Sequence, residues 1–83
     1  MSQFDKLLER IRNNPADVDF DDACRVAAHF FGPSRQSGTS HRVWAMPWPG
    51  DPRVNLQRGK NNKAKAYQVR QLLAAIERLA RGA

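Results

Sequence analysis

Arg35-Gln36-Ser37-Gly38-Thr39-Ser40-His41-Arg42-Val43-Trp44 decides how this chain is read. Pro33 to Ser37 predicts a short strand, Ser37-Gly38-Thr39 a turn, and Ser40 to Met46 a longer strand carrying the strand formers Val43 and Trp44. Gly38 is the structural turn residue, free to take the positive φ that a tight hairpin demands. Alternation puts His41 with Val43 and Ala45, and Ser40 with Arg42, Trp44 and Met46. Each set holds good core residues, so parity alone leaves the buried face open.

Outward from this hairpin the pattern changes on both sides. Downstream, Pro47-Trp48-Pro49-Gly50-Asp51-Pro52 has three prolines without an N–H and reads as a turn. Arg53 to Gln57 alternates polar with apolar and predicts a third, half-buried strand. Arg58 to Lys65 is a basic loop with no apolar side chain larger than alanine. A last helix is expected from Lys65 or Ala66 to Ala80, its stripe being Val69, Leu72, Leu73, Ile76 and Ala80 with Leu79 flanking. Upstream, Ser2 and Asp5 form a capping-box-like pair before the stripe Phe4, Leu7, Leu8 and Ile11, which Asn13-Asn14-Pro15 ends. Asp19 caps a second helix through Phe20, Ala23, Cys24, Ala27 and Phe31, with Gly32 at its end. His29 within it reads as structural or exposed. The order α-α-β-β-β-α predicts one α+β domain over 1–83, a two-layer sandwich with a three-stranded antiparallel sheet and helices on one face.

Charge narrows the function. The net charge is +6 and the pI about 10.5. It is unevenly spread: residues 1–22 hold three basic side chains against six acidic ones, and residues 23–83 eleven against two. The first part is therefore −3 and the second +9, the pattern of a polyanion-binding body with an acidic end. Cys24 is alone, so no intramolecular disulfide forms. No apolar run is long enough to span a bilayer and no signal-peptide core is present, so the cytoplasm is the default location. No Cys/His cluster suggests zinc and the scattered carboxylates do not suggest a two-metal site, so neither metal nor cofactor is expected.

His41 among basic residues is the candidate catalytic group. Imidazole is the side chain whose ordinary charge change falls near neutral pH. RNA brings its own nucleophile, the 2′-hydroxyl beside each phosphate, so one protein acid–base group achieves much. A solvated polar histidine near a turn is the bland alternative. Lys60, Lys63 and Lys65 lie within six residues, next to a helix amino end that favours phosphate, and Arg70 extends the patch. Arg35, Ser40 and Arg42 complete the candidate RNA contacts. Tyr67 and Trp48 are each either base-stacking platforms or protein contacts.

Three blocks, Gly38-Thr39-Ser40-His41, Val54-Asn55-Leu56-Gln57 and Lys63-Ala64-Lys65-Ala66-Tyr67-Gln68-Val69-Arg70-Gln71-Leu72-Leu73, resemble the HicA-like (YcfA-like) toxins of bacterial type II toxin–antitoxin pairs. The resemblance covers about residues 20–78. Thr39 separates Gly38 from Ser40-His41, where the commoner pattern is contiguous Gly-Ser-His. Ala66 stands where proline is common, and Met46-Pro47-Trp48-Pro49 replaces a second histidine. The resemblance implies a fold like the double-stranded-RNA-binding domain over 19–80, with the helix in 1–15 as an addition. It implies a metal-independent mRNA endoribonuclease with His41 as catalytic residue and a HicB-like antitoxin as partner. A non-catalytic double-stranded-RNA-binding module is the alternative, since it needs the same fold and charge but no acid–base group. An interaction protein with acidic partners is a third.

Overall fold

In the computed structural model, residues 3–36, 41–50 and 53–82 are described. The first helix, α1, spans Gln3–Asn13. Leu7 and Ile11 are buried, with Phe4 and Leu8 half-buried beside them. This stripe packs on the second helix, α2, Phe20–Phe31. The Phe4 ring also stacks on His29 at 4.0 Å between centroids, so His29 serves the helix pair. Asp21 and Asp22 sit in the first turn of α2, where the helix end is positive. Gly32 closes the helix with φ 83°, its N–H donating to the Ala28 carbonyl, a conformation that a side chain with Cβ resists.

The sheet is antiparallel and small. Its body is a pair of five-residue strands, β2 (His41–Ala45) and β3 (Arg53–Gln57), while β1 is only Arg35–Gln36, paired to the other edge of β2. Of the strand expected over 33–37, Arg35–Gln36 is strand, Pro33 has no N–H to give a ladder, and Ser37 lies outside the described residues. β2 ends at Ala45 rather than Met46, just before the prolines. The register sets His41 opposite Gln57, Arg42 opposite Leu56, Val43 opposite Asn55, Trp44 opposite Val54 and Ala45 opposite Arg53.

Trp44 settles which face is buried. It is 2 % exposed and its indole N–H donates to the Gly32 carbonyl at 2.9 Å, so the large ring enters the core with its polar atom satisfied. Val54 and Leu56 lie on the same face, against α2 and the last helix. The other face carries His41, Val43, Ala45, Arg53, Asn55 and Gln57, and no described helix covers it. Trp48 is likewise a protein contact, edge-on to Phe31 and beneath the Arg78 guanidinium at 4.5 Å.

The last helix, α3, spans Ala66–Ala80. Gln68, Val69, Leu72, Ala75 and Ile76 are buried, whereas Leu73 and Leu79 are half-buried and Ala80 is exposed. The buried face is rotated from the expected stripe towards Gln68 and Ala75. Each buried Val, Leu or Ile contributes ~1.5–3 kcal/mol relative to exposure, so this rotation is fixed by the sheet it covers. The described residues form an α+β unit, with three α-helices and an antiparallel sheet that α2 and α3 cover on one side. No described helix is long and apolar enough to cross a membrane.

Candidate nucleic-acid interface and the His41 cleft

The expected basic loop is an ordered hairpin. Gly59 N–H donates to the Lys63 carbonyl at 2.7 Å and Lys63 N–H to the Lys60 carbonyl at 3.0 Å. Asn61 and Asn62 take φ 57° and 62°, the two positive values of a type I′ turn, which asparagine tolerates better than other non-glycine residues. The hairpin is pinned by the carboxylates between α1 and α2. Lys63 Nζ lies 2.9 Å from Asp17 and 2.9 Å from Asp19. The hydrogen bond with Lys63 pulls the Asp19 carboxyl below its ordinary range, and the same contact, with that of Asp17, pushes the Lys63 ammonium up. Arg58 is tied as well, to Asn62 at 2.8 Å and Asp21 at 3.6 Å, over the Phe20 ring at 4.6 Å.

These contacts reassign two expectations. Asp19 occupies the cap position of α2 but makes no side-chain cap bond; its carboxylate goes to Lys63. Lys63, expected as a phosphate ligand, neutralises two carboxylates instead. Lys60 projects from the turn, Lys65 is the N-cap of α3 and Arg70 lies one turn further, all three exposed and without an ion pair among the described residues. They form a cationic edge along the turn and the start of α3.

Arg42 lies where strand alternation puts it. The register puts it opposite Leu56 on the helix-covered face, where its charge acts on Cys24. It therefore does not share a face with His41. The Cys24 thiol is half-buried, and burial pushes its pKa up to about 11 in spite of Arg42. Arg35 contributes its backbone to β1. Its side chain, and the whole of Gly38 and Ser40, lie outside the described residues.

His41 is exposed at the first position of β2. It lines a shallow cleft of about 160 Å³ with Asn55, Leu56, Gln57 and Gln68. Leu56 is fully buried, so the polar lining comes from the three amides and the imidazole. Asn55 and Gln57 arrive from β3 because the register aligns them with the His41 face. Gln68 arrives from the first turn of α3, 5 % exposed, its Nε2 donating to the Tyr67 hydroxyl at 3.3 Å. The alternation of β3 would have placed Asn55 and Gln57 here; Gln68 was hidden because the sequence shows only a polar residue beside an apolar stripe. A larger cleft, of about 450 Å³, lies between α1 and α2 around Asp17, Asp19, Asp22, Arg10 and Lys63, away from His41. No protein-family model, curated protein or solved structure matches this chain.

Proposed function

We propose that the chain is a HicA-like endoribonuclease toxin, with residues 19–80 forming a core of the double-stranded-RNA-binding type and His41 as its acid–base group. One observation carries this reading. Residues from three blocks far apart in sequence line one solvent-facing cleft: His41 from 38–41, Asn55, Leu56 and Gln57 from 54–57, and Gln68 from 63–73. Strand alternation accounts for Asn55 and Gln57 on the solvent face; it does not account for the buried, unpaired Gln68 oxygen in the cleft that His41 lines. The cationic edge of Lys60, Lys65 and Arg70 supplies the polyanion affinity.

The chemistry is transesterification. His41 takes the proton of a substrate 2′-hydroxyl as that oxygen attacks the neighbouring phosphorus, and the P–O bond to the 5′-oxygen breaks. The departing oxygen takes a proton from solvent water or from the imidazolium so formed, leaving a 2′,3′-cyclic phosphate on one fragment and a 5′-hydroxyl on the other. Lys60 and Lys65 neutralise charge at and near the phosphate. The reaction requires no metal, and it would run in the cytoplasm under restraint by a HicB-like antitoxin.

Purified protein incubated with RNA in EDTA tests the reading. Cyclic-phosphate ends are expected, and a deoxyribose on the 5′ side of the scissile bond blocks cutting. Binding without cleavage would favour the double-stranded-RNA-binding module, and 5′-phosphate ends would refute this chemistry.

A further inference from the structure

Gln68 stands at the third position of α3, counting from its N-cap Lys65. A glutamine there ordinarily turns its side-chain oxygen back onto the N-cap N–H, closing a capping box. Here it does not. Its Oε1 is buried without any hydrogen-bond partner, while Nε2 is taken by the Tyr67 hydroxyl. A buried acceptor left unpaired is costly, and it is retained in native proteins where something else uses it. The same cleft holds a ring with the opposite deficiency. His41 forms no hydrogen bond among the described residues, yet a histidine that moves protons through one ring nitrogen needs an acceptor on the other to fix its tautomer.

We infer that Gln68 is the positioning residue of His41: its Oε1 accepts the N–H of one ring nitrogen, leaving the other nitrogen bare to receive the 2′-hydroxyl proton. The catalytic consequence of this contact rests on the proposed nuclease reading; the contact itself does not. Among the described residues that line the cleft, His41 is the one titratable group. The charged or titratable groups on the surrounding elements are Arg42 on the covered face of β2, Arg53 and Arg58 at the ends of β3, and Lys65, Tyr67 and Arg70 at the start of α3. None is a carboxylate, so a neutral amide is the acceptor these elements provide.

The test uses the full chain, the variants Gln68→Leu and Gln68→Glu, and ¹⁵N NMR of the imidazole. Leucine removes the acceptor and the unpaired atom together, so folding should persist while the His41 ring passes from one dominant tautomer to a mixture. Glutamate keeps the acceptor and adds charge, which should raise the His41 titration midpoint by about one unit or more. With RNA, Gln68→Leu should lower kcat ~10–100-fold at constant KM, the usual size for losing a partner that fixes a histidine tautomer. Gln68→Glu should restore turnover with its pH profile displaced upward. An unchanged tautomer balance in Gln68→Leu, or an unmoved midpoint in Gln68→Glu, overturns the inference. Absence of cleavage by the wild type would refute the nuclease reading alone, because the NMR measurements decide the contact without RNA. Should Gln68→Leu fail to fold, the Gln68→Glu midpoint still decides.

Discussion

His41 begins β2 on the uncovered face, so its imidazole is held by backbone pairing with β3 rather than by packing of its own side chain. Removing that side chain should therefore leave the fold intact. His41→Ala is expected to keep the wild-type circular-dichroism spectrum and most of its RNA affinity while losing ~10²–10⁴ in cleavage rate. Growth inhibition should vanish with it. Wild-type cleavage by this variant would remove His41 from the mechanism. At this scale the sequence spoke unevenly. His41 was conspicuous because histidine is chemically distinctive and rare in this chain, and Trp48 was undecided because an indole in a Pro-rich turn suits either a base or a guanidinium. The partner proved to be Arg78, thirty positions away, a separation no local pattern spans. Gln68 was silent for a related reason: its significance is an unpaired atom, visible only once the surrounding backbone bonds are accounted for.

The hairpin of residues 58–64 shows why an element can be legible in composition and misjudged in use. Its lysines marked it as basic, but Asp17 and Asp19, more than forty residues earlier, claim Lys63. Among the lysines the cationic edge therefore rests on Lys60 and Lys65. If each neutralises about one phosphate, Lys60→Ala with Lys65→Ala should lose ~1.4–1.8 units from the slope of log K against log salt, whereas Lys63→Ala should leave that slope unchanged. Equal losses from all three would show that RNA displaces the carboxylates from Lys63. The latch also has a pH signature. Asp19 is more acidic folded than unfolded, so its contribution is present above the ordinary carboxylate range and is lost as pH falls through the lowered value. Lys63 is more basic folded, so its contribution holds below the ordinary lysine range and is lost as pH rises through the raised value. The latch thus holds across neutral pH and opens in acid. Thermal unfolding followed from about pH 6 to pH 2.5 should show a decline that Asp19→Asn reduces. An identical decline in the variant would mean that other carboxylates govern it. The asparagine pair at 61–62 was the overlooked local signal, because two consecutive asparagines favour the left-handed turn that closes this hairpin.

Across the whole molecule, hydrophobic spacing carried the α+β layering, since helical stripes and strand alternation each name a face to be buried. It could not choose the sheet face, because Val43 and Trp44 are both good core residues; Trp44 prevails by area, and its N–H finds the Gly32 carbonyl. On the proposed toxin reading, that choice determines which surface an antitoxin would use. With Arg42 beside Cys24 under the helices, the described residues of the open face are His41, Val43, Ala45, Asn55 and Gln57, with the charged Arg53 at the Ala45 end. The cations lie along its edge at Lys60, Lys65 and Arg70. An inhibitor acting by masking would be steered by that edge and seated on the open face. Labelled RNA and a HicB-like antitoxin should then exclude each other in a competition assay. The two surfaces should also respond differently to change. Lys65→Glu is expected to slow association of both ligands, most strongly at low salt, because it alters the steering field. Asn55→Trp places a bulky ring at the centre of the open face and should chiefly hasten antitoxin dissociation, since the loss is in fit rather than in approach. Arg42→Ala, on the covered side, should change neither binding rate beyond its effect on stability. A ternary complex with undiminished RNA affinity would rule out masking, and antitoxin binding insensitive to Asn55→Trp would move the contact off this face.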